Sequence, residues 1–371
     1  MIAEAIKGTS GNVRIFDRLL RHRIALVREE NAVAREAIAL STQGEREFRE
    51  HFYGTFAAQR PETDAPVNMP LLNTLARDVQ DWTGRNMGRV TVTLDRRLRA
   101  RIEDEYQTVT GTLFQILPHP FEEKTQAQWA QIAARLGIYR PLPEENYKEI
   151  LDNPDMWDGY HWRERLEDAK DGVFLKAKHN LARSMAGGES MPQAWRRFQE
   201  VLDGVTLTAE LVAKTEIQRV SNEIAERVYQ ANSDVVTGES VVATLDERCC
   251  LICAADDRKE FALDDPDKPI FPRHPRCRCF YAPMTRFWER LGVDPPEGTR
   301  AGWWADKDGE LHRKQVPANM NFSQWLEKQP AAFQRSYLGP SRYEAYRKGD
   351  YSLKGFVNDG KIIPLKKLSM N

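Results

Sequence analysis

The chain of 371 residues is long enough for two or three domains, each with its own apolar core. Hydrophobic residues make up 41% and charged residues 29%, values that are typical of a soluble globular protein and exclude wholesale disorder. Fifty-four basic and fifty-five acidic residues give a net charge of -1, so the molecule as a whole is not a polycation that binds nucleic acid or anionic lipid.

Hydrophobic runs are short throughout the sequence. The longest has seven residues, Cys249 to Ala255, whereas a membrane-spanning helix needs about 18 or more. No membrane association is therefore expected. The first residues lack the apolar core of a secretory signal, so we expect the protein to fold in a reducing cytoplasm.

The first predicted element is one long helix or two short ones over residues 13–52. Phe16, Leu20 and Ile24 recur at helical spacing and form an apolar stripe. Residues 14–28 also carry five arginines and one acid, which makes the opposite face locally +4. A solvated helix face is the favoured interpretation and a phosphate-binding face the alternative. The candidate contacts for nucleic acid or an acidic surface are Arg14, Arg18 and Arg21.

The next hundred residues give weaker patterns. Three prolines within residues 59–73 predict a connector, and a boundary is expected near residue 60. Residues 89–94 alternate branched and apolar side chains, which predicts a strand. Residues 122–136 are predicted to form a helix that ends before the prolines at 141 and 143.

Residues 158–232 are predicted to form consecutive helices with breaks at 187–188 and at 203–204, where glycines occur. The last helix, from about residue 207, has the clearest pattern, with a cap expected at Thr206 or Thr208. Its apolar face includes Ile217, Val220 and Ile224. A second face, expected to pack on the module that follows, carries Thr215, Arg219 and Asn222.

A strand predicted at residues 241–245 leads into a cluster that contains all five cysteines. Two short turns that each present thiolate or imidazole ligands, separated by a loop, are typical of tetrahedral zinc sites. Cys250 and Cys253 form the first pair, Cys249 is the spare, and the spacing does not decide which residues complete the site. Reduced cysteines packed as small hydrophobic residues are the alternative. The candidate metal ligands are Cys250, Cys253, His274, Cys277 and Cys279.

The sequence favours a structural zinc site over a catalytic one. The zinc-deaminase signature requires H-x-E followed by P-C-x-x-C, and here the order differs and the acid is missing. The H-E-x-x-H helix of metalloproteases and the phosphate-binding glycine loops are also absent from the sequence. We therefore expect no enzymatic activity, and we interpret the nearby Asp256, Asp257 and Glu260 as a solvated acidic loop.

The end of the chain is rich in aromatic residues and locally basic. Residues 342–371 carry seven basic residues and three acids, and residues 268–290 carry six basic residues and one acid. The rings predict a docking extension, and the charges predict contact with nucleic acid or an acidic protein surface. The candidate partner-binding residues are Trp325, Phe333 and Tyr337. The candidate nucleic-acid or acidic-surface contacts near the cysteines are Arg273, Arg276 and Arg278.

Taken in order, these motifs resemble a known family. Thr215-Glu216-x-x-Arg219-x-x-Asn222, then Asp246-x-Arg248-x-Cys250-x-x-Cys253, then His274-Pro-x-Cys277-Arg-Cys279 is similar to the Mu F-like minor capsid proteins, also called phage head morphogenesis proteins. The resemblance covers about residues 160–285. It departs after the C-x-x-C, where the family often has a glycine and this chain has Asp256-Asp257-Arg258.

The resemblance implies a minor virion component that associates with the portal during head assembly, with the major capsid protein and non-specifically bound packaged DNA as further partners. It implies a location in the virion head near the portal, with assembly in the host cytoplasm, and a part in DNA packaging or ejection. No enzymatic activity is implied. A zinc-dependent nuclease or toxin-like enzyme that uses His274 and nearby arginines is the alternative.

The predicted fold class is mainly α, as an α+β variant with a helical body, a small β-containing zinc-knuckle module and an aromatic C-terminal extension. Five segments are expected. They are an N-terminal helical segment (1–60), a mixed and mostly helical region (61–157), a helical core (158–235), the strand with the Cys/His knuckle (236–295) and the C-terminal docking extension (296–371).

Overall fold

The computed structural model describes residues 11–58, 69–116, 144–153, 158–187, 189–233, 236–285, 299–306, 308, 310–358 and 360–368. The fold is mainly α, as predicted. The six helices of its first part are α1 (Gly11–Thr42), α2 (Glu45–Ala58), α3 (Met69–Ile116), α4 (Glu144–Asp152), α5 (Trp162–Ala186) and α6 (Met191–Ala231). None of the described helices has an apolar stretch long enough to cross a membrane. The predicted helix at 122–136 and residues 59–68 of the predicted connector lie outside the described residues.

The strand predicted at residues 89–94 is wrong, because this segment lies inside the 48-residue helix α3. Val90, Leu94 and Leu98 are buried at steps of four residues, whereas Val92 is 72% exposed. On a strand Val92 would share the face of Val90 and Leu94, so its exposure fits a helix and not a strand. β-branched residues prefer strands, but the free energy of that preference is small. The free energy gained when this helical face packs on α1, α5 and α6 is larger.

The predicted helix break at residues 203–204 is also wrong, because α6 runs without interruption for 41 residues. A glycine inside a helix costs only about 1 kcal/mol relative to alanine, and α6 regains more than this by packing on three other helices. The expected cap at Thr206 or Thr208 is not formed. Thr208 instead donates its hydroxyl to the Gly204 carbonyl oxygen one turn earlier.

Residues 13–52 form two helices, which is one of the two alternatives expected. The turn between these helices lies at residues 43–44. A buried polar network joins α1 to α3 and α6. Glu105 on α3 accepts hydrogen bonds from Arg101 (2.6 Å) and contacts His22 on α1 (2.8 Å), while Arg23 donates to the Ser221 carbonyl oxygen on α6. Although burial raises the pKa of Glu105, the positive groups around it hold that pKa at about 2.

A three-stranded antiparallel sheet follows α6, in the order β2–β1–β3. Its strands are β1 (Val236–Val242), β2 (Glu260–Phe261) and β3 (Phe280–Thr285), with a short helix α7 (Leu251–Asp256) between β1 and β2. Val242 pairs with Phe280 and Ser240 with Ala282. The predicted strand at 241–245 therefore exists, but it begins at residue 236 and ends at residue 242.

A hairpin and several short helices complete the described chain. The hairpin consists of β4 (Thr299–Ala305) and β5 (Leu311–Pro317). The remaining elements are α8 (Phe322–Glu327), α9 (Ala331–Leu338), α10 (Pro340–Lys348), a 3-10 turn (Lys354–Phe356), β6 (Val357–Asn358), β7 (Lys361–Ile362) and α11 (Leu365–Leu368).

One continuous apolar core runs through the described residues, from Leu19 on α1 to Leu368 on α11. Helix α6 lies at its centre, because it packs on α1, α3 and α5 and also contacts β3. Ile217, Val220 and Ile224 are buried there, as predicted. The division of the chain into five segments stays a prediction.

Candidate metal centre

The first ligand pair is set by the start of helix α7. Cys250 is the residue that caps this helix, and its thiol accepts a hydrogen bond from the Cys253 backbone N–H at 3.4 Å. A C-x-x-C spacing across the first turn of a helix places both sulfur atoms on the same side of the backbone. Cys250 is half-buried and Cys253 is buried.

The second turn brings its ligands to the first. Cys253 Sγ lies 3.8 Å from His274 Nε2 and 3.9 Å from Cys277 Sγ. Two ligands bound to one tetrahedral zinc ion are about 3.8 Å apart, so these distances fit a shared ion. Cys253 is common to two sets whose ligand atoms all lie within 4.8 Å of one another. Those sets are Cys250, Cys253 and His274, and Cys253, Cys277 and Cys279.

The protonation of the cluster suits a cation. The hydrogen bond with Cys253 lowers the pKa of the Cys250 thiol to about 4, and His274 contributes in the same direction. Hydrogen bonds with Cys250 and then Cys277 raise the pKa of His274 to about 11. The hydrogen bond with Cys253 also lowers the pKa of Cys277. Hydrogen bonds with Cys250 and then Cys277 raise the pKa of Cys253 in turn, so the thiols share protons unevenly, and a metal ion would displace those protons together with the one on His274 Nε2.

The backbone around His274 fixes its orientation. Nδ1 lies 2.9 Å from the Pro275 carbonyl oxygen, so a proton on Nδ1 leaves Nε2 directed at the thiols. Arg276, with a φ of 60°, turns the chain between His274 and Cys277. Its N–H donates to the Thr215 hydroxyl on α6 at 3.3 Å.

Helix α6 supports the cluster through its second polar face, as predicted. Asn222 donates its side-chain amide to the Cys279 carbonyl oxygen at 3.1 Å, and Thr215 accepts the Arg276 bond described above. Arg219 does not touch the cluster. It instead donates to Glu216, Glu223 and the Ile150 carbonyl oxygen, which ties α6 to α4.

Two of the arginines predicted to contact nucleic acid are paired inside the protein. Arg273 lies 2.7 Å from Asp256, and Arg278 donates two hydrogen bonds to Asp246, one of them at 2.8 Å. Both side chains are nearly covered, so their charge is neutralised locally and does not face a partner. Arg276 is 54% exposed and lies 3.7 Å from Glu210.

The three N-terminal arginines named as contacts are only partly described. Arg21 is exposed on α1, and the side chains of Arg14 and Arg18 lie outside the described residues. The neighbouring Arg23 is buried in the network with Glu105, so the basic face of α1 is narrower than the sequence predicts.

The aromatic residues predicted to dock on a partner pack within the protein. Trp325 is fully buried and donates its indole N–H to the Trp303 carbonyl oxygen, so it has no surface to offer a partner. Tyr337 is partly buried and donates its hydroxyl to the Cys249 carbonyl oxygen at 2.9 Å. Phe333 packs edge-on against Trp325. The prediction that Trp325 docks on a partner is therefore wrong, because its ring lies in the protein's own core, whereas docking through the partly buried Phe333 and Tyr337 stays a prediction.

Sequence reasoning missed the side chains that hold the acidic loop. Arg300 on β4 is 1% exposed and contacts both Asp257 carboxylate oxygens, at 3.2 and 3.0 Å. It also donates to the Ala243 and Met320 carbonyl oxygens. Asp257 is therefore a buried partner of Arg300 and not part of a solvated loop. No local pattern identifies Arg300, because its partner lies 43 residues away in the chain.

One side of the cluster opens on a cleft of about 1050 Å³. His274 and Arg273 line it from the knuckle, and Lys354 lines it from the C-terminal part. The cluster is thus sealed on the side of α6 and Tyr337 and reachable on the side of His274.

Comparison with known proteins supports the resemblance over one part of the chain. Residues 176–282, less than a third of the sequence, match the model of the family described as Phage Mu protein F like protein. This segment comprises the end of α5, all of α6, and the cluster to the middle of β3. No curated protein and no solved structure matches the chain. The match confirms that residues 176–282 are similar to the Phage Mu protein F like family, which suggests a phage head morphogenesis protein located in the virion.

Proposed function

We propose that the protein is a structural minor component of a phage head, associated with the portal and held together by a zinc knuckle. The observation that carries this proposal is the coincidence of the family match with one structural unit. The matched residues comprise helix α6 and the cysteine cluster that its Thr215 and Asn222 support. The shared element is therefore a scaffold with a metal site in it.

The proposed zinc ligands are Cys250, Cys253, His274 and Cys277. Cys253 is close enough to the other three to share an ion with them. Cys279 is close to Cys253 as well, but its thiol also has a hydrogen bond with Cys249, which raises the pKa of Cys279. Because the Cys279 thiol is engaged with Cys249, whereas Cys277 interacts with both Cys253 and His274, we favour Cys277 as the fourth ligand.

The knuckle is proposed to be structural and the protein is not proposed to be an enzyme. A hydrolytic zinc site needs a water position and a free carboxylate beside it. The acids nearest the cluster are occupied, because Asp246 pairs with Arg278, Asp256 with Arg273 and Asp257 with Arg300. Zinc with four protein ligands has no open position.

Portal association is tested directly with purified components. Portal rings from the same phage are sedimented with the protein at 0.1 and 0.5 M salt, with major capsid shells that lack a portal as the matched control. We expect retention on the rings at both salt concentrations and none on the shells. Binding to the shells alone, or to neither, would contradict the proposal.

DNA binding is expected to be weak and non-specific. Phosphate contacts release counterions, so affinity should fall with a log-log salt slope of about -0.9 per contact. Zinc-dependent cleavage of DNA by the intact protein, lost in a His274→Ala variant, would instead support the nuclease alternative.

A further inference from the structure

The outer edge of strand β5 presents backbone groups that point away from the protein. On β4, the Trp303 N–H donates to the Leu245 carbonyl oxygen at 2.9 Å and the Ala305 N–H to the Gln329 side chain at 3.0 Å. Both N–H groups therefore point away from β5. In an antiparallel ladder, the residue opposite such a position also directs its N–H and C=O outward.

The register identifies the outward-facing residues of β5. Trp303 is opposite Arg313 and Ala305 is opposite Leu311, and Gln315 has the same parity. Leu311, Arg313 and Gln315 thus direct three successive N–H and C=O pairs away from β4. In the described part of the chain the hairpin is a two-stranded sheet, so no described strand pairs with these groups. Pro317, which has no N–H, ends the edge.

The side chains along this edge are basic and aromatic. Residues 312–315 are all exposed, and Arg313 and Lys314 have no ion pair among the described residues. Trp303, opposite Arg313, is 43% exposed, and the Lys314 ammonium lies 5.4 Å from the Trp304 ring centroid. Of the acids in the hairpin, Asp306 is bound to His312 at 2.9 Å, and the exposed Glu310 lies beside these two residues at the start of β5.

We propose that β5 is a docking edge for an extended acidic segment of a partner protein, which adds to the hairpin as a third strand. The three outward N–H and C=O pairs supply its main-chain hydrogen bonds, and Arg313 and Lys314 select acidic side chains. Trp303 supplies an aromatic surface beside them. This inference rests on the hairpin alone and does not depend on portal association.

Two other occupants fit the edge less well. If a second copy paired through its own β5 edge, Arg313 and Lys314 of both copies would be brought together, and like charges on neighbouring strands are destabilising. Nucleic acid would contact the basic side chains. However, it has no regular row of hydrogen-bond donors and acceptors that matches outward N–H and C=O pairs spaced two residues apart.

The test uses the full chain, isotope-labelled, and two end-blocked peptides of opposite charge, (Thr-Glu)3 and (Thr-Lys)3. The Gln315→Pro variant removes an outward N–H and leaves the ladder with β4 intact, whereas the matched control Gln315→Ala keeps that N–H. Binding is followed by NMR shifts at up to millimolar peptide. Amide exchange at Arg313 and Gln315 reports whether their N–H groups become protected.

We expect the acidic peptide to bind and to slow amide exchange at both residues. Gln315→Pro should weaken binding about tenfold, while Gln315→Ala leaves it unchanged. Failure of the acidic peptide to bind at millimolar concentration would overturn the proposal. Equal binding of both peptides, an unchanged affinity in Gln315→Pro, or displacement of the peptide by a DNA duplex that leaves both amides unprotected would overturn it as well.

Discussion

Cys253 is the residue on which the candidate metal centre depends, because it alone belongs to both groups of neighbouring ligands. Cys249 is adjacent to Cys250 in the sequence, yet it is not in either group. The two neighbours therefore provide a matched pair of substitutions in the same turn.

We expect Cys250→Ser to lose the bound metal and Cys249→Ser to retain it. Loss of a structural zinc ligand removes binding free energy that contributes to folding, so the Cys250→Ser variant should unfold at a lower temperature. Elemental analysis and thermal unfolding of both variants measure this. Equal metal content in the two variants would contradict the ligand assignment.

Glu226 is expected to make stability depend on pH. Burial and the neighbouring Glu239 carboxylate raise its pKa to about 7 from an ordinary value of 4.5, while the Lys268 ammonium that the two acids share opposes the shift. The folded protein then retains a proton that the unfolded chain releases as the pH rises from 4.5 to 7. Its contribution to stability is complete below pH 4.5 and is lost as the pH rises through 7.

Glu226→Gln should therefore be more stable than the parent at pH 8, by about 1–3 kcal/mol, with a much smaller difference at pH 4.5. Urea unfolding at the two pH values measures the change. Glu260→Gln, which alters an exposed acid, serves as the control. A difference that is the same at both pH values would show that burial of Glu226 is not its cause.

Side-chain roles were predictable where the chemistry lies within short spacing. The C-x-x-C turn and the H-P-x-C turn predicted that thiols and an imidazole come together, and the structure places Cys253 beside both His274 and Cys277. The partners of Asp246, Asp257 and Cys249 were not predictable, since Arg278, Arg300 and Tyr337 approach from distant parts of the chain.

At the scale of elements, the length of α6 is the feature that sequence patterns obscure. A Cβ atom added at Gly204 would meet nothing within 4 Å, so nothing in the packing requires a glycine there. At Gly238 on β1, an added Cβ would lie 2.7 Å from the Phe261 carbonyl oxygen. The first glycine is incidental to the fold, and the second permits the close approach of β2.

We expect Gly204→Ala to stabilise the protein by about 0.5–1 kcal/mol, through helix propensity and the reduced entropy of the unfolded chain. Gly238→Ala should destabilise it, because the backbone of β2 has to move. Chemical denaturation of the two variants gives both signs in one experiment. Destabilisation by Gly204→Ala would indicate that α6 is broken at this position in solution.

Elements were predictable where periodicity and propensity agree. Ile217, Val220 and Ile224 repeat at helical spacing on residues that tolerate a helix, and the structure buries all three. Residues 89–94 carry a propensity for strands and a periodicity that also fits a helix, and contact with other helices decided the outcome. Such contacts are a property of the folded chain and are not visible in a local window.

At the scale of the whole molecule, the metal centre lies between the helical body and the C-terminal extension. Asn222 reaches it from α6, and Tyr337 reaches it from α9. Because one apolar core connects these parts, the loss of the metal should lower the stability of regions well beyond the knuckle.

We expect a strong chelator to lower the unfolding temperature and to expose the segment around Tyr337 to protease. The reason is that the turn whose Cys249 carbonyl oxygen accepts the Tyr337 hydroxyl would no longer be held. Limited proteolysis followed by mass spectrometry measures the cleavage. The Cys250→Ser variant, already without metal, should show no further change on chelation, and additional cleavage there would point to an effect unrelated to the metal.

The uneven burial of the ligands has a consequence for how fast a metal ion can be exchanged. Cys253 and Cys277 are buried, whereas Cys250 and His274 are half-buried and His274 lines the open cleft. An ion bound by the four proposed ligands would have to lose its two outer ligands first, and an incoming chelator would attack from their side. Metal release should therefore proceed in steps, with a rate that rises with chelator concentration, while the inner thiolates hold the ion until the last step.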